Sequence, residues 1–257
     1  MEITIDQIKD LRERTGVSMT ACKKALEEAG GDFDKAVDVL RKTGEAKALD
    51  RAARHTSNGV VAVKSEDGKS AMVELQCETD FVAKSDDFIK VAETIADKLL
   101  KGEIKPEDRD VPEIKEAGMK LGENIKIANM SLVEGKTLGD YVHSNRKIGV
   151  VVSLEGGSPE LAREIAMHVA ATNPEVIKPD EVERALVDKE KEIWTDQLKN
   201  EGKPAEIIEK IMMGKEKKFR EENALISQCF VKNPEKTVQQ LLNEASATVN
   251  EFRRFAI

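Results

Sequence analysis

The chain has 257 residues, of which 40% are hydrophobic, 35% are charged and only 4% are aromatic. This length and apolar content suffice for one large domain or two to three small ones, and the many charges predict long solvated helices beside an aliphatic core. The formal net charge of −8 and the pI near 5.2 disfavour a protein that works by neutralising phosphates, so nucleic acid is not an expected partner.

The first 44 residues predict a three-helix module at the N-terminus. Thr4 and Gln7 have the spacing of a capping box, and a glycine follows each of the three predicted helices. The helices are expected at 4–15, 18–29 and 32–43. A unit of about 40 residues is near the lower limit for an independent core, and it would serve mainly for recognition. Met19, in the turn before the second helix, is either a plug in that core or an exposed contact.

Residues 45–58 are rich in alanine and basic side chains, and they predict a linker. We expect a helical extension that leads into a tether at Ser57-Asn58-Gly59. The basic side chains could touch RNA, but a solvated helix face is the favoured interpretation.

The first half of the core is expected at 59–140, and it begins with a hairpin. Asp67-Gly68 supplies the positive φ of a tight turn between two apolar runs. In the second run Val73, Leu75 and Cys77 share one parity and acidic or amide side chains the other, which predicts one buried and one wet face. Helices at 86–100 and 112–121 and a strand at 125–133 follow.

The joint after the second strand is the most informative stretch. The strand should end at Thr79-Asp80, and Ser85 is placed to cap the next helix. Phe81 therefore lies between strand and helix, where side chains tend to point towards partners instead of into the sheet.

The second half of the core, at 141–179 and 227–257, repeats the order of strand, polar turn and amphipathic helix, which suggests a duplicated α+β unit. Between its two parts, residues 180–226 contain apolar residues spaced seven and four positions apart, on both sides of a turn that holds Gly and Pro. That pattern predicts an inserted antiparallel coiled-coil hairpin whose helices of about 20 residues would extend about 30 Å. The fold class is therefore α+β, with antiparallel sheets.

Enzyme motifs are missing from the sequence. It contains no phosphate-binding glycine loop, no nucleophile elbow and no zinc signature. His55, His143 and His168 are scattered, and the three cysteines are far apart, as expected of free thiols in a reducing cytosol. No signal peptide and no apolar run of membrane-spanning length occurs, so a cytoplasmic binding protein without catalytic residues is the expectation.

Five segments, in order along nearly the whole chain, resemble the bacterial elongation factor Ts family. They are LRERTG at 11–16, CKKAL at 22–26, TDFVAK at 79–84, GENI at 122–125 and MHVAA at 167–171. The resemblance implies a guanine nucleotide exchange factor for elongation factor Tu, which acts by binding and needs no cofactor of its own. It implies the GDP-bound or nucleotide-free GTPase as partner, with a dimer of heterodimers as one arrangement, and no nucleic acid or membrane.

The resemblance also implies roles for individual residues. Thr79, Asp80, Phe81 and Val82 match the segment that dislocates Mg²⁺ in the partner, and the partner-contacting positions are Met19, Thr20, Leu121 and His143. Asp80 could repel phosphate, bond to backbone amides or only cap its own turn. An adaptor that binds a folded partner without affecting its nucleotide is the alternative function, whereas a hydrolase or transferase lacks a clustered acid, base or nucleophile.

Overall fold

The computed structural model describes residues 3–15, 19–201 and 204–257. Its N-terminal helices are α1 (Ile5–Thr15), α2 (Met19–Glu28) and α3 (Phe33–Ala52). The capping box is confirmed, because the Thr4 amide donates to Gln7 Oε1 at 2.9 Å and the Gln7 amide donates to Thr4 Oγ1 at 3.3 Å. The predicted stop at Gly16 and start at Ser18 lie outside the described residues.

The predicted end of the third helix at Gly44 is wrong. Helix α3 continues through this glycine to Ala52, so the N-terminal part of the expected linker is helical. The residues after Gly44 are mostly strong helix formers, and one glycine in a helix costs only about 1 kcal/mol. A single glycine therefore does not stop this helix.

The first half of the core is an antiparallel sheet of order β1-β2-β3 with helices on one side. Its elements are β1 (Asn58–Glu66), β2 (Lys69–Cys77), α4 (Asp80–Ala83), α5 (Asp86–Leu100), α6 (Pro112–Leu121) and β3 (Lys126–Glu134). The tight turn between β1 and β2 is confirmed, since Asp67 and Gly68 have φ of 48° and 75°.

The second half is a three-stranded antiparallel sheet of order β4-β5-β8. Its elements are β4 (Thr137–Val142), β5 (Ile148–Glu155), α7 (Pro159–Thr172), a small hairpin of β6 (Cys229–Phe230) and β7 (Asn233–Thr237), α10 (Val238–Glu244) and β8 (Thr248–Ala256). The sequence patterns did not indicate β4, and the division we expected at residue 140 falls within it. The inserted arm consists of α8 (Arg184–Asn200) and α9 (Ala205–Asn223), which contact each other.

The core consists of four layers, in the order α5, first sheet, second sheet, α7. One apolar cluster lies between the first sheet and α5, a second lies between the second sheet and α7, and a third joins the sheets. The cluster between the sheets is built on Val61, Met72, Val133 and Val151. The expectation of a wet face on β2 is therefore wrong, because β2 is covered on both sides.

Glu74 shows how a charged residue of β2 is accommodated in this interior. Only 4% of it is exposed, and its carboxylate accepts hydrogen bonds from Gln76 Nε2 and Asn129 Nδ2, both at 2.7 Å. Both oxygens are thus paired, as burial of a charged group requires.

Candidate functional site

The joint between β2 and α5 holds an aromatic side chain in solvent. Thr79 caps the short helix α4, accepting a hydrogen bond from the Val82 amide at 3.3 Å, and Ser85 caps α5 by accepting from the Phe88 amide at 3.3 Å. The predicted cap at Ser85 is confirmed. Two successive caps fix the path of the chain, and they leave Phe81 83% exposed.

The burial of the neighbours of Phe81 explains why this ring points outward. Ala83 is buried and Val82 is partly buried against the first core cluster, so α4 already has an inner face. Phe81 lies on the other side of this single helical turn. A large exposed aromatic side chain on an anchored turn is typical of a contact with another molecule.

Asp80 is held by an ion pair on the same turn. Its Oδ2 lies 2.6 Å from Lys84 Nζ, and this hydrogen bond keeps the pKa of Asp80 below its ordinary value, with a smaller contribution from the charge of Lys147. Asp80 is therefore a carboxylate at neutral pH, and the side chain that caps α4 is that of Thr79.

Two glutamates clamp the joint, Glu78 within the joint itself and Glu123 in the segment that follows α6. The Glu123 carboxylate accepts from the backbone amides of Glu78 at 2.9 Å and Thr79 at 3.1 Å, and also from the Thr79 hydroxyl. In return the Glu78 carboxylate accepts from the Asn124 amide at 2.6 Å and pairs with Arg54 at 3.4 Å. This reciprocal clamp fixes the start of α4, and sequence reasoning missed it because the two segments lie more than 40 residues apart.

Cys77 adds a further contact at the same joint. Burial raises the pKa of its thiol to about 12, and the negative charge of Glu123 acts in the same direction. The protonated sulfur donates to the Thr79 carbonyl at 3.2 Å. The thiol is thus part of the support below α4 and has no character of a nucleophile.

Leu121 lies next to the clamp and at the edge of a groove. It is the last residue of α6, it packs partly against the first core cluster, and Gly122 ends the helix with φ of 76°. A cavity of about 710 Å³ between the N-terminal helices and the core is lined by Leu121 together with residues such as Arg14 and Lys120. Leu121 is therefore half-buried, in contrast to the exposed Phe81.

His143 lies in the loop between β4 and β5. The side chain is exposed, and its Nδ1 is 2.9 Å from the Tyr141 hydroxyl. The loop is anchored to the first sheet, because the Val61 amide donates to the Arg146 carbonyl at 2.7 Å and Arg146 adopts a left-handed φ of 57°. Arg146 Nη1 also lies 3.3 Å from a carboxylate oxygen of Glu93 on α5, so the loop that carries His143 packs against the first half of the core.

Met19 and Thr20 lie in the N-terminal helices and not in the core. Met19 is the first residue of α2, where we expected a turn, and it packs partly against the apolar centre of the module, while Thr20 is exposed. Met19 therefore fills part of this centre and also presents a surface.

His168 is fully buried, and its two ring nitrogens are occupied. Nε2 lies 2.9 Å from Gln228 Oε1, and the Val231 amide donates to Nδ1 at 3.3 Å. Burial lowers the pKa of His168, so the ring is neutral and joins α7 to the segment after the arm. Among the residues that the structure describes, no group of three or more His, Cys, Asp or Glu is arranged to hold a metal ion.

Comparison with known proteins identifies relatives of this chain. Residues 78–257 match the family model described as Elongation factor TS. The proteins named Elongation factor Ts from Thioalkalivibrio sulfidiphilus and Alkalilimnicola ehrlichii are 44% and 45% identical, over 100% of this chain and 92% of each relative. That of Hydrogenobaculum sp. is 42% identical over 100% of this chain and 99% of the relative. In the described part of the chain, no helix has the length and apolar character needed to cross a membrane.

Proposed function

Because the chain belongs to the elongation factor Ts family, whose members exchange the guanine nucleotide of elongation factor Tu in translation, we propose that it releases GDP from that GTPase by disturbing its Mg²⁺ site. It would bind the GDP-bound or nucleotide-free GTPase and leave it ready to load GTP. The observation that supports this mechanism most is the 83% exposure of Phe81 on a doubly capped and clamped joint.

The physical basis is the strict geometry that Mg²⁺ requires. This ion needs nearly ideal octahedral coordination and bridges the nucleotide phosphates to a GTPase, so a small displacement of its ligands weakens the hold on GDP. Phe81 can supply the driving energy, since full burial of such a side chain contributes about 1.5–3 kcal/mol. Because α4 is already fixed in the free chain, little of this binding free energy would be lost in ordering α4, and most of it could displace the Mg²⁺ ligands of the partner.

Asp80 would act beside Phe81 through its negative charge. Its pKa is lowered, and it forms an ion pair with the exposed Lys84, so in a complex it could exchange this pair for backbone amides of the partner or repel a phosphate. The cap on α4 comes from Thr79, which weakens the alternative that Asp80 only caps its own turn.

The exchange requires no covalent step. If the factor weakens GDP binding by some ratio, GDP must weaken binding of the factor by the same ratio, and a ternary complex can lose either partner. In this scheme the affinity for the GTPase comes from further contacts, which are made by Leu121, His143, Met19 and Thr20, while the joint disturbs the Mg²⁺ site. The cytoplasm as location and a dimer of heterodimers as assembly remain predictions.

Stopped-flow release of a fluorescent GDP analogue from purified elongation factor Tu tests the proposal. Catalytic amounts of the chain should accelerate release, and the double variant Asp80→Ala, Phe81→Ala should lose most of the acceleration. Met213→Ala is a control for the loss of exposed apolar surface, because it truncates another apolar side chain, 70% exposed, on α9 of the inserted arm. Equal release rates for the double variant and the wild type would refute the mechanism, and association without any acceleration would favour the adaptor.

A further inference from the structure

The segment that joins the N-terminal helices to the core runs past the joint that carries Phe81. We call it the connecting segment, and it comprises residues 53–58, from the end of α3 to the first residue of β1. Within it Thr56 is only 5% exposed, and Asn58 pairs with Cys77 across β1 and β2. Burial and strand pairing fix the path of this stretch, in which the sequence had indicated a tether.

Arg54 contacts the clamp with its side chain and with its backbone. Its Nη1 lies 3.4 Å from Glu78 Oε1, and its carbonyl accepts a hydrogen bond from Asn124 Nδ2 at 2.8 Å. Asn58 adds a further contact, because its Nδ2 donates to the Glu78 carbonyl at 3.0 Å. Since the Asn124 amide also donates to Glu78 Oε1, the connecting segment and the clamp form one hydrogen-bonded unit.

Thr56 attaches the middle of the connecting segment to β2. Its hydroxyl donates to Gln76 Oε1 at 3.2 Å. His55 and Ser57, on either side of it, are exposed. The bonded positions thus alternate with exposed ones, as in an extended chain that turns one side to the core. The whole side that faces the core is therefore held beside the joint.

The other end of the connecting segment continues directly from α3. This helix has 20 residues and is therefore about 30 Å long. Its first half contributes Ala36 and Leu40 to the apolar centre of the N-terminal helices, and it contacts α2 and also α6 of the core. A continuous helix fixes the relative positions of its two ends, whereas a flexible linker does not. The surface that carries Met19 and Thr20 is thus connected to the joint without an intervening hinge.

We infer that the connecting segment couples docking of the N-terminal helices on the GTPase to insertion of Phe81, and that Arg54 and Asn58 are positioning residues for GDP release. This inference rests on the proposed function, in which Thr20 and Phe81 contact the same partner. Two surfaces held in a fixed relative orientation bind together with little further loss of conformational freedom. The affinity of the N-terminal helices thereby assists the displacement of the Mg²⁺ ligands.

Stopped-flow GDP release from elongation factor Tu at increasing concentrations of the full chain tests this inference. In Arg54→Ala, Asn58→Ala, which we call the loosened variant, the N-terminal helices can dock while Phe81 stays outside its site. The maximal rate should therefore fall about fivefold or more, while the half-saturating concentration stays within about threefold of the wild type. His55→Ala, an exposed change in the same segment, should leave both quantities within about twofold.

A double-mutant cycle separates coupling from a general weakening of the joint. Thr20→Glu, at an exposed position of α2, should lower the maximal rate of the wild type at least about threefold, but that of the loosened variant less than about twofold. Equal factors in the two backgrounds would overturn the inference. Arg54→Ala alone removes a half-exposed ion pair, so it should fold as the wild type and lower the maximal rate by a smaller factor.

Pulsed electron paramagnetic resonance measures the connection in the free chain. One spin label is placed on the exposed Cys229 and one on α2 through the exposed Lys23→Cys, while Cys22 and Cys77 are buried. The loosened variant should broaden the distance distribution, and His55→Ala should not. An unchanged distribution, or a wild-type maximal rate in the loosened variant, would overturn the coupling alone. If the wild type itself fails to accelerate GDP release, the proposed function fails and the coupling fails with it.

Discussion

Removal of the Glu123 carboxylate should loosen the joint that presents Phe81. Glu123→Ala deletes hydrogen bonds to two backbone amides and to the Thr79 hydroxyl. A donor left unpaired costs about 1–3 kcal/mol when buried, but water reaches this surface joint, so we expect a loss of about 1–2 kcal/mol. For a chain of this size that corresponds to a decrease in Tm of about 2–8 °C.

The same change should slow nucleotide exchange, because a mobile α4 must be ordered in the complex. A loss of about 1 kcal/mol in pre-organisation makes GDP release roughly fivefold slower. Differential scanning calorimetry and stopped-flow release measure the two effects. Glu123→Gln keeps one acceptor and should lie between wild type and Glu123→Ala, whereas Glu107→Ala, an exposed acid in a loop, should alter neither quantity. If Glu123→Ala had the Tm and the GDP release rate of the wild type, the proposed role of the clamp would be refuted.

Two further predictions concern the second half of the core. Burial lowers the pKa of His168 in the folded chain. As the pH falls, His168 is therefore protonated in the unfolded chain before it is protonated in the folded chain, so its contribution to the free energy of unfolding should be fully present above about pH 6.5 and should decrease below that pH. His168→Gln should flatten the dependence of Tm on pH between 7.5 and 5.5, whereas His55→Gln, at an exposed site, should leave it unchanged. Gly139→Ala would place a Cβ 2.1 Å from an α7 backbone nitrogen and should lower stability by about 1–3 kcal/mol or more, measured by urea unfolding. Gly214 lies in helix α9, and a Cβ added there would have no other atom within 4 Å, so Gly214→Ala should be neutral or stabilising by up to about 1 kcal/mol. Equal effects of the two substitutions on stability would contradict this packing argument.

Local chemistry allowed much of the fold to be predicted from the sequence. The caps at Thr4 and Ser85 and the turn at Asp67-Gly68 depend on residues a few positions apart, so their patterns are visible in the chain itself. The strand, polar turn and helix around Phe81 follow from the same kind of signal. These features placed an exposed aromatic side chain at the joint before any tertiary contact was considered.

Features that depend on distant contacts could not be predicted in this way. Glu74 is buried because Asn129, on another strand, and Gln76 pair with its carboxylate. The reciprocal clamp of Glu78 and Glu123 likewise depends on how α6 packs. Strand β4 was missed because Gly139 and Asp140, both of which are disfavoured in strands, interrupt its pattern, and its place is set by the close approach of α7.

The central claim is that Phe81 acts on the Mg²⁺ of the partner, and the magnesium dependence of GDP release tests it most directly. Release from elongation factor Tu should be measured with wild type and Phe81→Ala, in millimolar Mg²⁺ and again after chelation. We predict a large difference between the two proteins with Mg²⁺ and nearly equal rates after its removal, because the ion is then no longer an obstacle. A difference of the same size under both conditions would contradict the account.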